Sequence, residues 1–117
     1  MKILRHAGSP TQTAIAIGSF DGVHLGHQAM LARVVQAARQ RGISAAALTF
    51  EPLPREYFTP ATAPARLSSL AEKLAAIAGT GVQCAFVQRF AGPFAALTAQ
   101  EFERRLAGHY RARWLMV

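Results

Sequence analysis

The chain has 117 residues, of which 51% are hydrophobic and 13 are lysine or arginine, and its formal net charge is +7. That length suffices for one small domain, and the apolar fraction, without any low-complexity stretch, predicts a packed core. The apolar runs are too short to span a membrane, and no signal-peptide pattern indicates secretion. The single cysteine excludes an internal disulfide, and the dispersed arginines argue against a nucleic-acid interface. Together these features predict a cytoplasmic protein.

Strand and helix patterns alternate along the chain. The predicted elements are a strand at 13–18, a helix at 25–41, a strand at 43–50, a helix from the capping residue Ser69 to 78, a strand at 82–88, a helix from the capping residue Thr98 to 107, and a strand at 113–117. A short turn or helix is expected after Gly92. With right-handed crossovers, this order predicts an α/β fold, in which a parallel sheet carries helices on both faces.

Residues 51–66 contain four prolines, at positions 52, 54, 60 and 64. Proline disrupts helix interiors and central strands, so the whole segment is predicted to be a long loop. Loops of this length in compact domains usually have a function, and we therefore expect the segment to contribute to a site.

Residues 18–27, with three glycines and two histidines, join the first predicted strand to the first predicted helix. Open α/β sheets bind ligands at such junctions, where the N–H groups and the dipole of a helix start attract anions. Gly18 and Gly22 permit a sharp turn and a close approach of a ligand, and Gly26 leaves space in the first helical turn. These features indicate a phosphate site, although a tight turn alone would also explain glycines before a helix.

His24 and His27 are three residues apart, so their side chains lie on one face of the first helical turn. Imidazole nitrogens can donate to phosphate oxygens, and they add positive charge when protonated. A solvated helix end is the alternative. A zinc site is not favoured, because no nearby cluster completes a set of four ligands.

Two signatures together carry a resemblance to a known family. Residues 18–27, with the pattern G-x-F-D-G-V-H-x-G-H, resemble the H-x-G-H motif of nucleotidyltransferases and, more narrowly, that of the prokaryotic FAD synthetases. Residues 49–58 are similar to the T-F-x-P-x-P segment of the same family, and the stretch 66–73 fits a third signature. The H-x-G-H motif alone is widespread, but its combination with T-F-x-P-x-P is typical of bifunctional riboflavin kinases/FMN adenylyltransferases.

The resemblance implies a Rossmann-like nucleotidyltransferase fold and the transfer of AMP from ATP to FMN, which gives FAD and pyrophosphate. It also implies that His24 and His27 are catalytic, and that Mg²⁺ binds through phosphate oxygens with no metal ligand from the protein. The residues expected at ATP are Gly18, Ser19, Phe20, Asp21, Gly22, His24, Gly26 and His27. The residues expected around the flavin are Phe50, Pro52, Pro54 and Phe58.

Several of these roles have structural alternatives. Asp21 could orient His27 or the glycine turn, or it could meet the Mg²⁺ shell, and turn-stabilising aspartates are common. Phe50 and Phe58 could instead anchor the proline-rich segment to the core. Arg66 could reach a phosphate or could be a surface residue beside a helix.

The resemblance further implies that the chain is the N-terminal part of an adenylyltransferase domain, with an incomplete sheet and without a riboflavin kinase domain. These 117 residues alone are not expected to form FAD. Two other functions stay open: a non-catalytic nucleotide-binding module, and another H-x-G-H transferase that acts on phosphopantetheine or a cytidylyl substrate. The sequence does not predict the oligomeric state.

Overall fold

Strands and helices alternate in the residues that the computed structural model describes, which are 1–22 and 25–117. The elements are β1 (Lys2–Leu4), β2 (Thr13–Ile17), α1 (Leu25–Arg41), β3 (Ser44–Glu51), α2 (Pro54–Phe58), α3 (Leu70–Ala78), β4 (Cys84–Arg89), α4 (Gly92–Ala95), α5 (Ala99–Gly108) and β5 (Ala112–Met116). The predicted helix at 25–41 is confirmed at both ends. None of the described helices is long and apolar enough to cross a bilayer.

Both predicted capping boxes are present. The Ser69 hydroxyl accepts from the backbone N–H of Glu72 at 3.1 Å, and the Thr98 hydroxyl accepts from that of Glu101 at 3.1 Å. In each pair the glutamate carboxylate accepts in return from the backbone N–H of the cap residue, at 2.9 Å. These contacts satisfy N–H groups that a helix start leaves unpaired, and they fix where α3 and α5 begin.

The five strands form one parallel sheet in the order β1-β4-β3-β2-β5 within the described ranges. Thr13 of β2 lies opposite Ser44 of β3, and Ala46 of β3 lies opposite Cys84 of β4. Because the strands are parallel, the carboxyl ends of β2, β3 and β4 meet at one edge of the sheet. The predicted α/β class with a parallel sheet is confirmed.

Helices cover both faces of the sheet, as predicted. On one face, α1 and α3 pack through Leu31, Val34 and Ile77 against alanines of β2 and β3. On the other face, α5 packs through Leu106 and Phe102 against larger side chains of the same strands. Alternate residues of β2 and β3 therefore enter two different cores, and the small residues lie beneath the longest helix.

The outer strand β5 adds the single tryptophan of the chain to the α1 side. Trp114 packs against the same core as α1, and the guanidinium carbon of Arg41 lies 5.8 Å from the centre of its ring. A cation over an indole face is an attractive arrangement. This contact joins the end of α1 to β5.

The prediction that residues 51–66 form neither helix nor strand is wrong for six residues, since Glu51 ends β3 and α2 occupies Pro54–Phe58. Pro54 is the first residue of this helix, where its missing N–H would have had no partner in any case and its fixed φ suits the helix. The Glu56 carboxylate accepts from the backbone N–H of Leu53 at 2.7 Å and stabilises the helix start. Proline disrupts helix interiors, but it favours the first position.

Strand β1 was not predicted. It is only three residues long, and it pairs with β4 so that Lys2 lies opposite Cys84 and Leu4 opposite Phe86. A segment this short, with a lysine at its start, shows no measurable alternation of apolar and polar residues. Its conformation depends on β4, which lies about 80 residues later in the chain.

Candidate functional site

The candidate site lies at the edge of the sheet where β2, β3 and β4 end. Three segments meet there: the glycine turn (residues 18–22) after β2, the segment 50–58 that begins at the end of β3, and the segment 90–98 after β4. The site therefore occupies the position where parallel α/β sheets bind ligands. The predicted ATP and flavin residues follow neighbouring strands, β2 and β3.

The glycine turn is sharp, and a side chain is disfavoured at its two glycines for different structural reasons. Gly22 has φ of +83°, in the left-handed region, and a Cβ there would come within 3.1 Å of the Leu67 side chain. A Cβ on Gly18 would lie 3.3 Å from the ring of Phe20, which is fully buried with φ of +51°. Gly18 thus makes room for a buried aromatic ring as well as for the turn.

Of the two predicted catalytic histidines, His27 belongs to the described residues. His24 lies outside the described residues. His27 lies in the first turn of α1, half-buried, with its ring edge-to-face with Phe20 at a centroid distance of 5.3 Å. Gly26 precedes it and is exposed in the same turn. The contact with Phe20 holds the His27 ring beside the glycine turn.

Asp21 joins the glycine turn to the start of α3 and to α2. Its carboxylate accepts from the backbone N–H groups of Leu67 and Ser68, each at 3.0 Å, from the Ser68 hydroxyl at 3.2 Å and from the Arg55 guanidinium at 3.0 Å. The N–H of Gly22 donates in turn to the Ser68 hydroxyl at 3.1 Å. These contacts favour the interpretation that Asp21 stabilises the turn, because donors already surround its oxygens.

The electrostatics of Asp21 agree with this geometry. Burial alone would raise the pKa of the carboxyl, but hydrogen bonds from Leu67, Ser68 and Arg55 outweigh that effect and hold the pKa below its usual value. The carboxylate is therefore ionised at neutral pH. Its negative charge balances Arg55 at the entrance to the turn.

Arg66 is bound by two carboxylates. Its Nε donates to Glu56 at 2.8 Å, and its Nη2 donates to Glu51 at 2.8 Å. These hydrogen bonds raise the pKa of Arg66 and lower the pKa of Glu56. A role for Arg66 at a phosphate would require it to leave both partners, so the contacts favour the structural alternative.

Lys73 is the last residue of the third signature and was assigned no role from the sequence, yet it is among the most buried charged groups of the described residues. The residue is 2% exposed, and its ammonium donates to the Ser19 carbonyl at 3.0 Å and to the Thr49 hydroxyl at 3.0 Å. A signal was present, because Lys73 lies three residues after Leu70 and four before Ile77, on the apolar stripe of α3.

An apolar cleft of about 260 Å³ opens beside the end of β3. We call it the aromatic cleft; its aromatic lining residues are Phe50, Phe90, Phe94 and Phe102. The Phe50 ring lies 5.7 Å from that of Phe90 and 6.1 Å from that of Phe94. Edge-to-face contacts of this kind hold aromatic rings in defined orientations.

The predicted flavin residues are unequally placed around the aromatic cleft. Phe50 is buried and lines it, whereas Phe58 is 63% exposed and touches Phe90 edge-to-face at 5.5 Å. Pro52 lies in the connection between β3 and α2, Pro54 is the first residue of α2, and neither is among the lining residues. Phe90 was missed by sequence reasoning, although it follows the end of β4 directly.

Among the described residues, no group of three or more histidine, cysteine, aspartate or glutamate side chains could hold a metal ion. The nearest candidate, Asp21, is already surrounded by hydrogen-bond donors.

Comparisons with known proteins agree with this architecture. The family model for FAD synthetase matches residues 6–117. The bifunctional riboflavin kinase/FMN adenylyltransferase of Escherichia coli strain K12 is 41% identical over 123 aligned residues, which span 100% of this chain and 39% of that protein. The protein of the same description from Pseudomonas fluorescens is 48% identical over 90 residues, with 77% of this chain and 29% of the relative covered.

A solved structure shares the fold. The crystal structure described as a macrolide-efflux protein from Streptococcus pneumoniae superposes with a TM-score of 0.81 at 25% identity, over 99% of this chain and 40% of the other. The chain thus spans about two fifths of the length of the E. coli relative and of this structural neighbour. With a family model that matches nearly all of its residues, the chain belongs to the FAD synthetase family.

Proposed function

We propose that the protein is an FMN adenylyltransferase that transfers AMP from ATP to FMN. A phosphate oxygen of FMN attacks the α-phosphorus of ATP, the bond from that phosphorus to the bridging oxygen breaks, and pyrophosphate leaves. One observation carries the proposal: at the carboxyl edge of one sheet, a glycine turn at a helix start follows β2, and an apolar aromatic cleft opens beside the ends of β3 and β4. The glycine turn suits a phosphate chain, and the aromatic cleft suits a flat ring system.

On the nucleotide side, the glycine turn and the start of α1 would hold the ATP phosphates. Ser19, Phe20, Gly22 and Gly26 would shape the path of the main chain around the nucleotide. His27, oriented by Phe20, would donate to phosphate oxygens and stabilise the charge that develops as pyrophosphate leaves. His24, which lies outside the described residues, would act with His27 in the same step. Positioning and charge stabilisation are enough for such a reaction, which needs no covalent intermediate.

On the flavin side, Phe50 and Phe90 would form rigid apolar walls for the isoalloxazine ring. Phe58 lies at the rim with most of its ring exposed, so it could cover a bound flavin. Pro52 and Pro54 would restrict the conformation of the connection that carries Phe58. The FMN phosphate would then point toward the glycine turn, because β2 and β3 are neighbours.

Mg²⁺ would bind chiefly through phosphate oxygens of the substrates. The chemistry of the described side chains fits this, because the only nearby aspartate is engaged by N–H donors and Mg²⁺ commonly binds with few protein ligands. The ion, when bound, would neutralise part of the charge on the phosphates. The protein residues would still perform the orientation.

We also propose that the 117 residues are the N-terminal part of the adenylyltransferase domain of a longer, bifunctional protein that acts in the cytoplasm. The 39% coverage of the E. coli relative, whose description includes riboflavin kinase, supports this. Further residues would complete the ATP site, and a separate domain would phosphorylate riboflavin. ATP and FMN would be its small-molecule partners.

The test is an assay of FAD formation by the full-length protein with ATP, Mg²⁺ and FMN, resolved by chromatography. We expect equal amounts of FAD and pyrophosphate, and no product when FMN is replaced by phosphopantetheine or a cytidylyl substrate. Binding of ATP and FMN without turnover would instead support the non-catalytic nucleotide-binding module.

A further inference from the structure

We propose that Lys73 is a positioning residue for the nucleotide side of the site, and that it acts by holding the peptide bond at Ser19. The inference rests on the proposed function. Lys73 comes from α3, which follows the segment of the predicted flavin residues, yet its ammonium reaches back across the end of the sheet to the glycine turn.

Three contacts converge on this ammonium. It donates to the Ser19 carbonyl and to the Thr49 hydroxyl, both at 3.0 Å, and the Glu51 carboxylate lies 3.8 Å away. The Thr49 hydroxyl also donates to the Ser19 carbonyl, at 3.1 Å. The same carbonyl oxygen therefore accepts two hydrogen bonds, one from β3 and one from α3.

Fixing this carbonyl fixes the turn. The peptide unit between Ser19 and Phe20 is planar, so the direction of the carbonyl also sets the direction of the Phe20 N–H. Phe20 itself adopts φ of +51°, an uncommon conformation for a non-glycine residue that must be held by its surroundings. Its ring in turn contacts His27. Lys73 thus stands at the start of a chain of contacts that ends at a predicted catalytic side chain.

Burial of the Lys73 ammonium is energetically unfavourable, which argues that the residue has a function. Burial lowers the pKa of Lys73, and the nearby Glu51 charge opposes that effect. An apolar residue on the stripe of α3 would fill the same space without that cost. At 2% exposure the Lys73 side chain is enclosed by protein, and its ammonium donates to Ser19 and Thr49, so we expect its effect to pass through these two residues.

The geometry also predicts an asymmetry between the two substrates. Lys73 is not among the residues that line the aromatic cleft, and its hydrogen bonds go to the glycine turn and to Thr49. Loss of the ammonium should therefore disturb the ATP phosphates while the aromatic walls keep their places.

The test compares full-length wild-type protein with Lys73→Met, which keeps most of the side-chain volume. We expect kcat/KM for ATP to fall between about 10-fold and 10²-fold, as expected for a small misplacement of reacting groups. The dissociation constant of FMN, measured by calorimetry without ATP, should stay unchanged. The matched control is Lys2→Met, which alters the one other lysine of the chain, exposed on β1, and should behave as wild type.

Two results would overturn the proposal: wild-type kinetics in Lys73→Met, or equal losses for ATP and FMN together with a lowered melting temperature. If Lys73→Met does not fold, Thr49→Val decides, because it removes the Thr49 hydrogen bond to Ser19 and one acceptor of the Lys73 ammonium while it leaves the charge in place. A selective loss toward ATP supports the proposal, and unchanged ATP kinetics contradict it. Failure of the proposed function would be seen separately, as absence of FAD formation by the wild type.

Discussion

The glycine turn and the aromatic cleft both lie at the carboxyl edge of the sheet, yet they are held by different forces. The turn is held by hydrogen bonds and ion pairs from distant parts of the chain, with Asp21 and Ser19 as the main acceptors. The cleft is held by rings of Phe50, Phe90 and Phe94 packed edge-to-face. The first region should respond to charge and pH, whereas the second should respond to changes of volume.

This difference suits the two proposed substrates, ATP and FMN. Phosphate groups need donors at fixed positions, which a network of directional hydrogen bonds provides. A flat ring system needs aromatic surfaces against which it can stack, and the phenylalanine rings provide them. Substitutions that affect one region and spare the other would test this division.

The largest expected effect is on the nucleotide side. In the full-length protein, His27→Ala should lower kcat for FAD formation by about 10²–10³, because a preorganised donor to developing charge is lost. FMN affinity, measured by calorimetry, should persist. The control is His6→Ala, at an exposed position remote from the site in sequence. Near-normal turnover in His27→Ala would remove this residue from the mechanism.

The next effect concerns the stability of the turn. Asp21→Asn should lower the free energy of unfolding by about 1–3 kcal/mol, because a carboxylate with several donors is replaced by a neutral amide. Chemical denaturation at neutral pH measures this difference. Glu103→Gln, at an exposed position on α5, is the matched control and should change little.

The difference in the free energy of unfolding between wild type and Asp21→Asn should depend on pH in a defined direction. The folded-state pKa of Asp21 lies below its usual value of 3.8, so its contribution to stability is fully present above that pH. The contribution is lost as the pH falls through the folded-state pKa. The stability difference between wild type and Asp21→Asn should therefore shrink as the pH falls below 3.8. A constant difference across that range would contradict the ionised state of Asp21.

On the flavin side, Phe58→Ala should weaken FMN binding by about 1–3 kcal/mol, the size of one lost aromatic stack. Its ring is 63% exposed, so its removal leaves the core intact. ATP affinity, measured by calorimetry in the same variant, should change less. Equal losses for both ligands would mean that Phe58 only anchors α2.

The smallest expected effect is at Arg66. Because its guanidinium is held by Glu51 and Glu56, Arg66→Gln should leave the KM for ATP unchanged. The free energy of unfolding should fall by about 0.2–1 kcal/mol, as for partly exposed ion pairs. A large increase in the KM for ATP would instead place Arg66 at a phosphate.

The secondary structure was largely predictable because its signals are local. The helix at 25–41 follows from a single apolar stripe, and the starts of α3 and α5 follow from Ser69 and Thr98 with glutamates three residues later. Helix α2 was missed because proline was treated as a breaker at every position, although the first position of a helix favours it.

The segments of the candidate site were predictable from the sequence, but the contacts between them were not. Residues 18–27 were singled out by their glycines, their histidines and their position between a strand and a helix, whereas Phe50 was predicted from the family resemblance. The role of Asp21 depends on donors 46 and 47 residues away, and that of Lys73 on an acceptor 54 residues away. No local pattern encodes such pairings. Phe90 could have been found by asking which aromatic residue follows each strand.

The single tryptophan has a practical consequence for all of these measurements. Trp114 lies on the α1 side of the sheet, beneath Arg41, whereas the aromatic cleft belongs to the core on the α5 side. Indole fluorescence therefore reports the docking of β5 against α1, and a substitution in the cleft leaves the immediate surroundings of the fluorophore unaltered. Emission spectra of Phe58→Ala and of wild type should coincide in the native state. Trp114 is therefore an internal reporter of global unfolding.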